Sequence, residues 1–153
     1  MSFKEIDVNS LKIAPFSSFQ NDWALVTAGN KQSLNTMTVS WGALGVIWQK
    51  PVTFIFIRPQ RYTFEFLEKN DYYSLSFLKD GFKNILGICG SKSGRNFDKI
   101  KETGLIPIFD RKAPYFDQSK LAFICRKIHA QFIDPSCFVD ESINSEYKNK
   151  DYH

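Results

Sequence analysis

The residues best suited to chemistry in this chain are hydroxyls and cations gathered at a few places. The run Asn35-Thr36-Met37-Thr38-Val39-Ser40-Trp41-Gly42 is dense in small hydroxyls within a β-prone stretch. Such a strand offers side-chain donors and acceptors beside backbone N–H groups, and its final aromatic and glycine let a flat ligand approach the backbone. Arg58, Arg61, Tyr62 and Thr63 follow a second strand-like run, and Ser91-Lys92-Ser93-Gly94-Arg95 precedes a helix-like stretch holding Asp98 and Lys99. Glycines at 90 and 94 permit unusual backbone angles while hydroxyls and cations supply charge-assisted bonds, so this turn resembles an anion cradle. A helix N-terminus just beyond adds a favourable dipole. The GxxxxGK[ST] spacing of a nucleotide-binding P-loop is missing. Taken singly, these segments also read as an edge strand with a solvated face and two solvated basic turns. Together they raise a phosphate-bearing ligand to equal standing with those alternatives.

Other chemistry has little to stand on. His129 lies in a strand-like run, no Ser/His/Asp arrangement has a motif around it, and the acidic residues show no metal-ligand spacing, so neither a catalytic residue nor a metal is expected. Cys89, Cys125 and Cys137 are far apart and form no CxxC pair, which points to free thiols in a reducing cytoplasm. The net charge of +4 is too mild for a nucleic-acid binder, and the aromatics are not interleaved with Lys and Arg as a stacking platform needs. No apolar run approaches the roughly 18 residues of a membrane span. Met1–Lys12 carries charges and lacks an apolar core, so no signal peptide is expected.

The elements that must position these groups fit one domain of 153 residues, residues 1–153, rich in aromatics that suit a β core. Strands are expected at Trp23–Ala28 and Asn35–Trp41, joined by a polar turn, and at Val52–Ile57, a buried strand ended by Pro59. Tyr62–Lys69 reads as a short helix ended by Asn70-Asp71. Tyr73, Leu75 and Phe77 alternate with Ser74 and Ser76, the pattern of a strand with one wet face. Phe82, Ile85, Leu86 and Cys89 fall at helical spacing up to a stop at Gly90, and Phe97–Glu102 makes another short helix before Gly104. Leu121–Ile133 reads as a long strand ended by Asp134-Pro135, followed by a polar tail. Many short strands with few short helices predict a mainly β protein, closed or nearly closed as a barrel.

The same segments, in order and spacing, resemble the flavin reductase-like (flavoredoxin-type) family. The resemblance rests on Asn35–Gly42, Lys50-Pro51-Val52, Ile57–Thr63 and Cys89–Arg95 with Asp98-Lys99. Pro15-Phe16, Trp23–Gly29 and the tail Asp151-Tyr152-His153 extend it over nearly the whole chain. It implies an FMN-binding split β-barrel with a Greek-key core and a few short helices, assembled as a homodimer with the flavin near the interface. It also implies that Asn35, Thr36, Met37, Thr38, Val39, Ser40 and Trp41 line the isoalloxazine. The ribityl phosphate would fall to Arg58, Arg61, Tyr62, Thr63, Ser91, Lys92, Ser93, Arg95 and Lys99. Asn96 departs from the family form, where an acidic residue is common.

Flavin chemistry needs position and electrostatics more than protein acids or bases. The function expected is therefore an oxidoreductase passing hydride from NAD(P)H to the flavin N5 and electrons onward. The alternative is an electron carrier with permanent FMN, serving a redox protein partner. The backbone of Thr38–Trp41 would bond the ring, with Arg61 or Lys92 near the reduced ring's charge. Trp41, Gly45-Val46-Ile47 and Trp48 give surplus apolar surface for a dimer. The family usually adds one more strand after the tail, so Tyr147–His153 is expected as a poorly packed end beside an unpaired strand edge, in a chain truncated before that strand.

Overall fold

The computed structural model describes residues 3–147. A helical turn, α1 (Pro15–Ser17), precedes the hairpin β1 (Ala24–Gly29) and β2 (Leu34–Val39). A second hairpin follows, β3 (Gly42–Ile47) and β4 (Lys50–Ile55). Then come α2 (Tyr62–Lys69), β5 (Tyr72–Leu78), α3 (Lys83–Ser91) and α4 (Lys99–Thr103). A two-residue pair, β6 (Pro107–Ile108) with β7 (Tyr115–Phe116), leads to β8 (Ser119–Arg126), and α5 (Asn144–Tyr147) ends the described chain. Helix and strand each account for 30%, so the fold is a mixed sheet-and-helix structure with a sheet core and not mainly β. The helices that shift the balance cover the sheet's faces, which strands alone leave open.

The central sheet is antiparallel in the order β2-β1-β5-β8. Alternation sends Ala24, Val26, Met37, Val39, Leu75 and Phe77 into one core, with Leu67 of α2 and partly buried Leu44 and Ile55 of the second hairpin. Leu25 and Leu78 enter the other core with Ile85, Leu86 and Cys89 of α3 and Phe116. The serine face of β5 is therefore not wet: Ser74 and Ser76 are 0% exposed. The covering layer includes the segment before β7, whose Pro114 carbonyl accepts from Ser74 Oγ at 2.5 Å.

Several element boundaries move for identifiable reasons. β4 is only half-buried and stops at Ile55, four residues before Pro59, because it pairs only with β3 and one face of that hairpin meets the core. β8 ends at Arg126, not at Ile133, because its partner β5 begins at Tyr72. One last bond, Lys127 N to Asp71 O at 2.7 Å, closes the ladder, and Ile128 and Phe132 beyond it are exposed. β2 stops at Val39, leaving Ser40 and Trp41 outside. α3 runs through Gly90 to Ser91, and α4 starts only at Lys99, capped by Asp98, and closes on Gly104 at φ 68°. Tyr147 is buried, its ring 5.8 Å from Phe138 and 6.0 Å from Trp41, so it is not a loose end. Residues 148–153 of the expected tail lie outside the described residues.

Among the described residues Ser76 Oγ, which is buried, has no hydrogen-bond partner, unlike Ser74 Oγ. Deleting an unsatisfied hydroxyl removes a desolvation penalty, whereas deleting a satisfied one strands its acceptor. Urea denaturation should show Ser76→Ala neutral to stabilising and Ser74→Ala destabilised by about 1–2 kcal/mol.

Candidate functional site

The site forms where the outer edge of β2 meets the end of α3 and the start of α2. Among the described strands β2 pairs only with β1, so its other edge is open. Lys99, 4% exposed, reaches that edge from α4 and donates to Thr36 O at 2.7 Å and to Cys89 O at 2.8 Å. Backbone groups of an antiparallel strand alternate sides, so Thr38 presents its N–H and C=O to the same open edge. The Thr38 hydroxyl donates to Leu86 O at 2.5 Å, fixing α3 against the strand.

A second cation secures the same helix end. Arg61 Nη2 donates to Gly90 O at 2.7 Å. Two cationic side chains thus satisfy carbonyls in the last turn of α3, where the helix dipole favours positive charge. Burial pulls the Lys99 ammonium down to about 8, with Arg61 adding to the effect and Cys89 opposing it. Burial also lowers Arg61, aided by Arg58. The Cys89 thiol is pushed up to about 11 by burial, against the pull of Lys99.

Beyond that helix end the 91–95 turn closes over α2. Asn35 Nδ2 donates to Thr63 Oγ1 at 2.8 Å, tying β2 to the first turn of α2. Gly94 lies so close to this pair that a Cβ there would sit 2.1 Å from Asn35 Oδ1 and 3.1 Å from the Tyr62 ring. The half-open pocket of about 130 Å³ there is lined by Arg61, Thr63, Ser91, Lys92, Ser93 and Lys99 among others, and by no carboxylate. Its size and its wealth of donors suit a phosphate group, and the Lys92 ammonium has no partner among the described residues. The helix start beside it is α2, where Arg61 N–H donates to Arg58 O and Phe64 N–H to Arg61 O, leaving the N–H groups of Tyr62 and Thr63 as the ones without an intrahelical acceptor; the start of α4 is capped by Asp98. The dipole expected from the helix after the cradle is thus supplied by another helix.

The remaining expected ligands divide. Met37 and Val39 point their side chains into the core, and the alternation that turns Thr38 outward turns their backbone groups toward β1. Arg58 is drawn away: its guanidinium lies 5.7 Å from the Trp41 and Tyr147 rings, and Nη2 donates to Glu146 O at 3.1 Å. Arg95 forms an ion pair with Glu65 and lies 4.7 Å from the Tyr62 ring. Ser40 is exposed beyond β2. A larger cleft of about 580 Å³ adjoins the cradle across Asn35 and Tyr62 and reaches Gln32, Phe66 and Asp98. Gln32 and Phe66 carry no sequence signal for this; only the approach of the β1–β2 turn to α2 brings them together.

Two outcomes follow from this geometry. Gly94→Ala should cost about 1–3 kcal/mol in urea unfolding, because Asn35 must give up Thr63 to make room. Lys99 is protonated up to about its ordinary 10.5 in the unfolded chain but only to about 8 in the fold, so between these the unfolded state binds more protons and stability rises with pH. Cys89 acts in the opposite sense from 9.0 to about 11. Denaturation at a series of pH values should therefore show stability rising between about pH 8 and about pH 9 and the rise absent in Lys99→Met.

Solved structures share this fold. Flavoredoxin of Desulfovibrio vulgaris (Miyazaki F) superposes with a TM-score of 0.65 at 20% identity, over 98% of this chain and 92% of that one. An FMN-binding protein from Thermus thermophilus gives 0.64 at 20% identity, over 83% and 70%. Nitrilotriacetate monooxygenase component B from Bacillus cereus gives 0.64 at 14%, over 88% and 72%. A comparison with curated protein sequences gives no significant match. The flavin reductase like domain matches residues 16–147, from the first helical turn to the buried Tyr147, and the chain belongs to that family.

Proposed function

We propose that this protein binds FMN and works as a flavin oxidoreductase, accepting hydride from NAD(P)H and passing electrons onward. The observation that carries the reading is the donor-rich, carboxylate-free cradle beside the open edge of β2. In this reading Lys92, Ser91, Ser93, Thr63 and the start of α2 hold the phosphate. The edge backbone of Thr38 orients the ring, and Arg61 keeps the cradle wall in place through Gly90. Bound FMN supplies the redox chemistry, which explains why no acid–base pair is needed. The four-stranded sheet and the β3–β4 hairpin are read as the two walls of a split barrel, linked where Thr53 Oγ1 meets Tyr73 OH at 2.8 Å.

The second wall also supports a homodimer. Val46 is 76% and Trp48 58% exposed at the hairpin's tip, with Phe54 and Phe56 also exposed, and exposed apolar side chains gathered on one element often mark an interface. Unpaired cysteines accord with a cytoplasmic setting, and among the described residues no helix is long and apolar enough to cross a membrane. A second reading, an electron carrier that keeps its FMN and takes electrons from a protein partner, draws on the likeness to a flavoredoxin over almost the whole of both chains.

Three measurements test these readings. The protein should bind FMN in preference to riboflavin, and Lys92→Ala should weaken FMN by about tenfold to a hundredfold, one charge-assisted bond's worth. Equal affinity for both flavins would refute the cradle. Stopped-flow mixing with NADH and NADPH should bleach the bound flavin; no bleaching with either would favour the carrier. Light scattering at micromolar concentration should give twice the chain mass.

A further inference from the structure

We infer that Lys99 is the positioning residue of the cradle: its buried ammonium ties the Thr36 carbonyl of β2 to the Cys89 carbonyl of α3 and so sets the 91–95 turn against the flavin strand. The inference rests on the FMN reading above and adds a role that direct ligation does not describe. Two of the three ammonium protons are committed to those carbonyls. Among the described residues no carboxylate neutralises the group, and it lines the cavity together with Lys92. With Lys99 removed, two buried carbonyls would face each other without a donor, and α3 would lose the contact that holds its last turn to β2. The turn begins at that helix end, so Lys92 and Ser93 would move with it, while the Thr38 edge, held by β1, would stay.

The surroundings make Lys99 readable by pH. The groups that act on it are the Cys89 thiol from α3 and Arg61 from the turn before α2. Lys92 and Arg95 stand on the adjoining turn, Arg95 paired with Glu65 of α2, and Asp98 caps α4. The ammonium is pulled down to about 8, where the thiol, pushed up to about 11, is still neutral. A phosphate monoester, with its second pKa near about 6, stays dianionic throughout that range. Riboflavin carries the same ring without the phosphate, so the ratio of the two affinities isolates the cradle.

The test is titration of wild-type protein and Lys99→Met with FMN and with riboflavin, followed by flavin fluorescence. The expected result is that Lys99→Met loses about tenfold or more of the preference for FMN while riboflavin affinity changes little. A folded variant that keeps the wild-type preference, or loses both affinities alike, overturns the inference. If Lys99→Met does not fold, the wild-type ratio measured from about pH 7 to about pH 9 decides. A neutral amine still has two N–H groups for the two carbonyls, so a preference that stays flat through about 8 supports the bridge, and one that declines there shows the charge acting on the phosphate itself and overturns it. A wild-type protein with no preference at neutral pH refutes the FMN reading itself, an outcome separate from a preference that survives loss of Lys99.

Discussion

The Lys99 ammonium donates to carbonyls of β2 and α3 from a position that water barely reaches, and the local architecture follows from that bridge. Burying an ammonium without a counter-ion is costly, which is why its proton is held less tightly than usual. Two short charge-assisted bonds and the negative end of the α3 dipole offset the cost. A hydrocarbon side chain would avoid the burden but leave the carbonyls of Thr36 and Cys89 with no donor. The same bridge occupies part of the outer edge of β2, so another strand cannot add there in full register. An edge that would otherwise invite mispairing is thereby blocked in part.

The site also depends on a sheet buried on both faces. Because β1 and β5 have a core on each side, β2 and the ends of α2 and α3 are held by packing and not by the polar groups of the site itself. The Asn35–Thr63 bond and the close approach of Gly94 can then be specific without carrying the fold. The β3–β4 hairpin stands apart from this rigidity. Its turn places Trp48 at φ 50° and Gln49 at φ 57°, a conformation that side chains other than Gly and Asn rarely adopt, and it leaves Val46 and Trp48 in the open.

Helix α2 was legible to the residue, because Tyr62–Lys69 carries its apolar face at helical spacing and Asn70 breaks the pattern. The β1–β2 hairpin and β5 were legible from composition and alternation. Strand β3 was not, since its turn contains Trp48 and Gln49 where a sequence reader looks for Gly or Asn. The β6–β7 pair was too short to show a period. The extent of β8 depended on where β5 begins, a fact about the partner strand and not about residues 127–133.

For the site, the sequence by itself determined which chemistry was available: hydroxyls and cations at Asn35–Gly42, Arg58–Thr63 and Ser91–Lys99, with no acid–base pair, in an order that marks the family. The tertiary structure decided how those groups are used. Arg61, Lys92 and Lys99 converge on one cavity, while Arg58 turns to Trp41 and Tyr147 and Arg95 to Glu65. A cation's type and its neighbours in sequence are the same whether it meets a carbonyl, an aromatic ring, a carboxylate or an open cavity. Which of these it meets is set by long-range packing, as when a lysine on α4 finds the carbonyl of a residue 63 positions earlier in the chain.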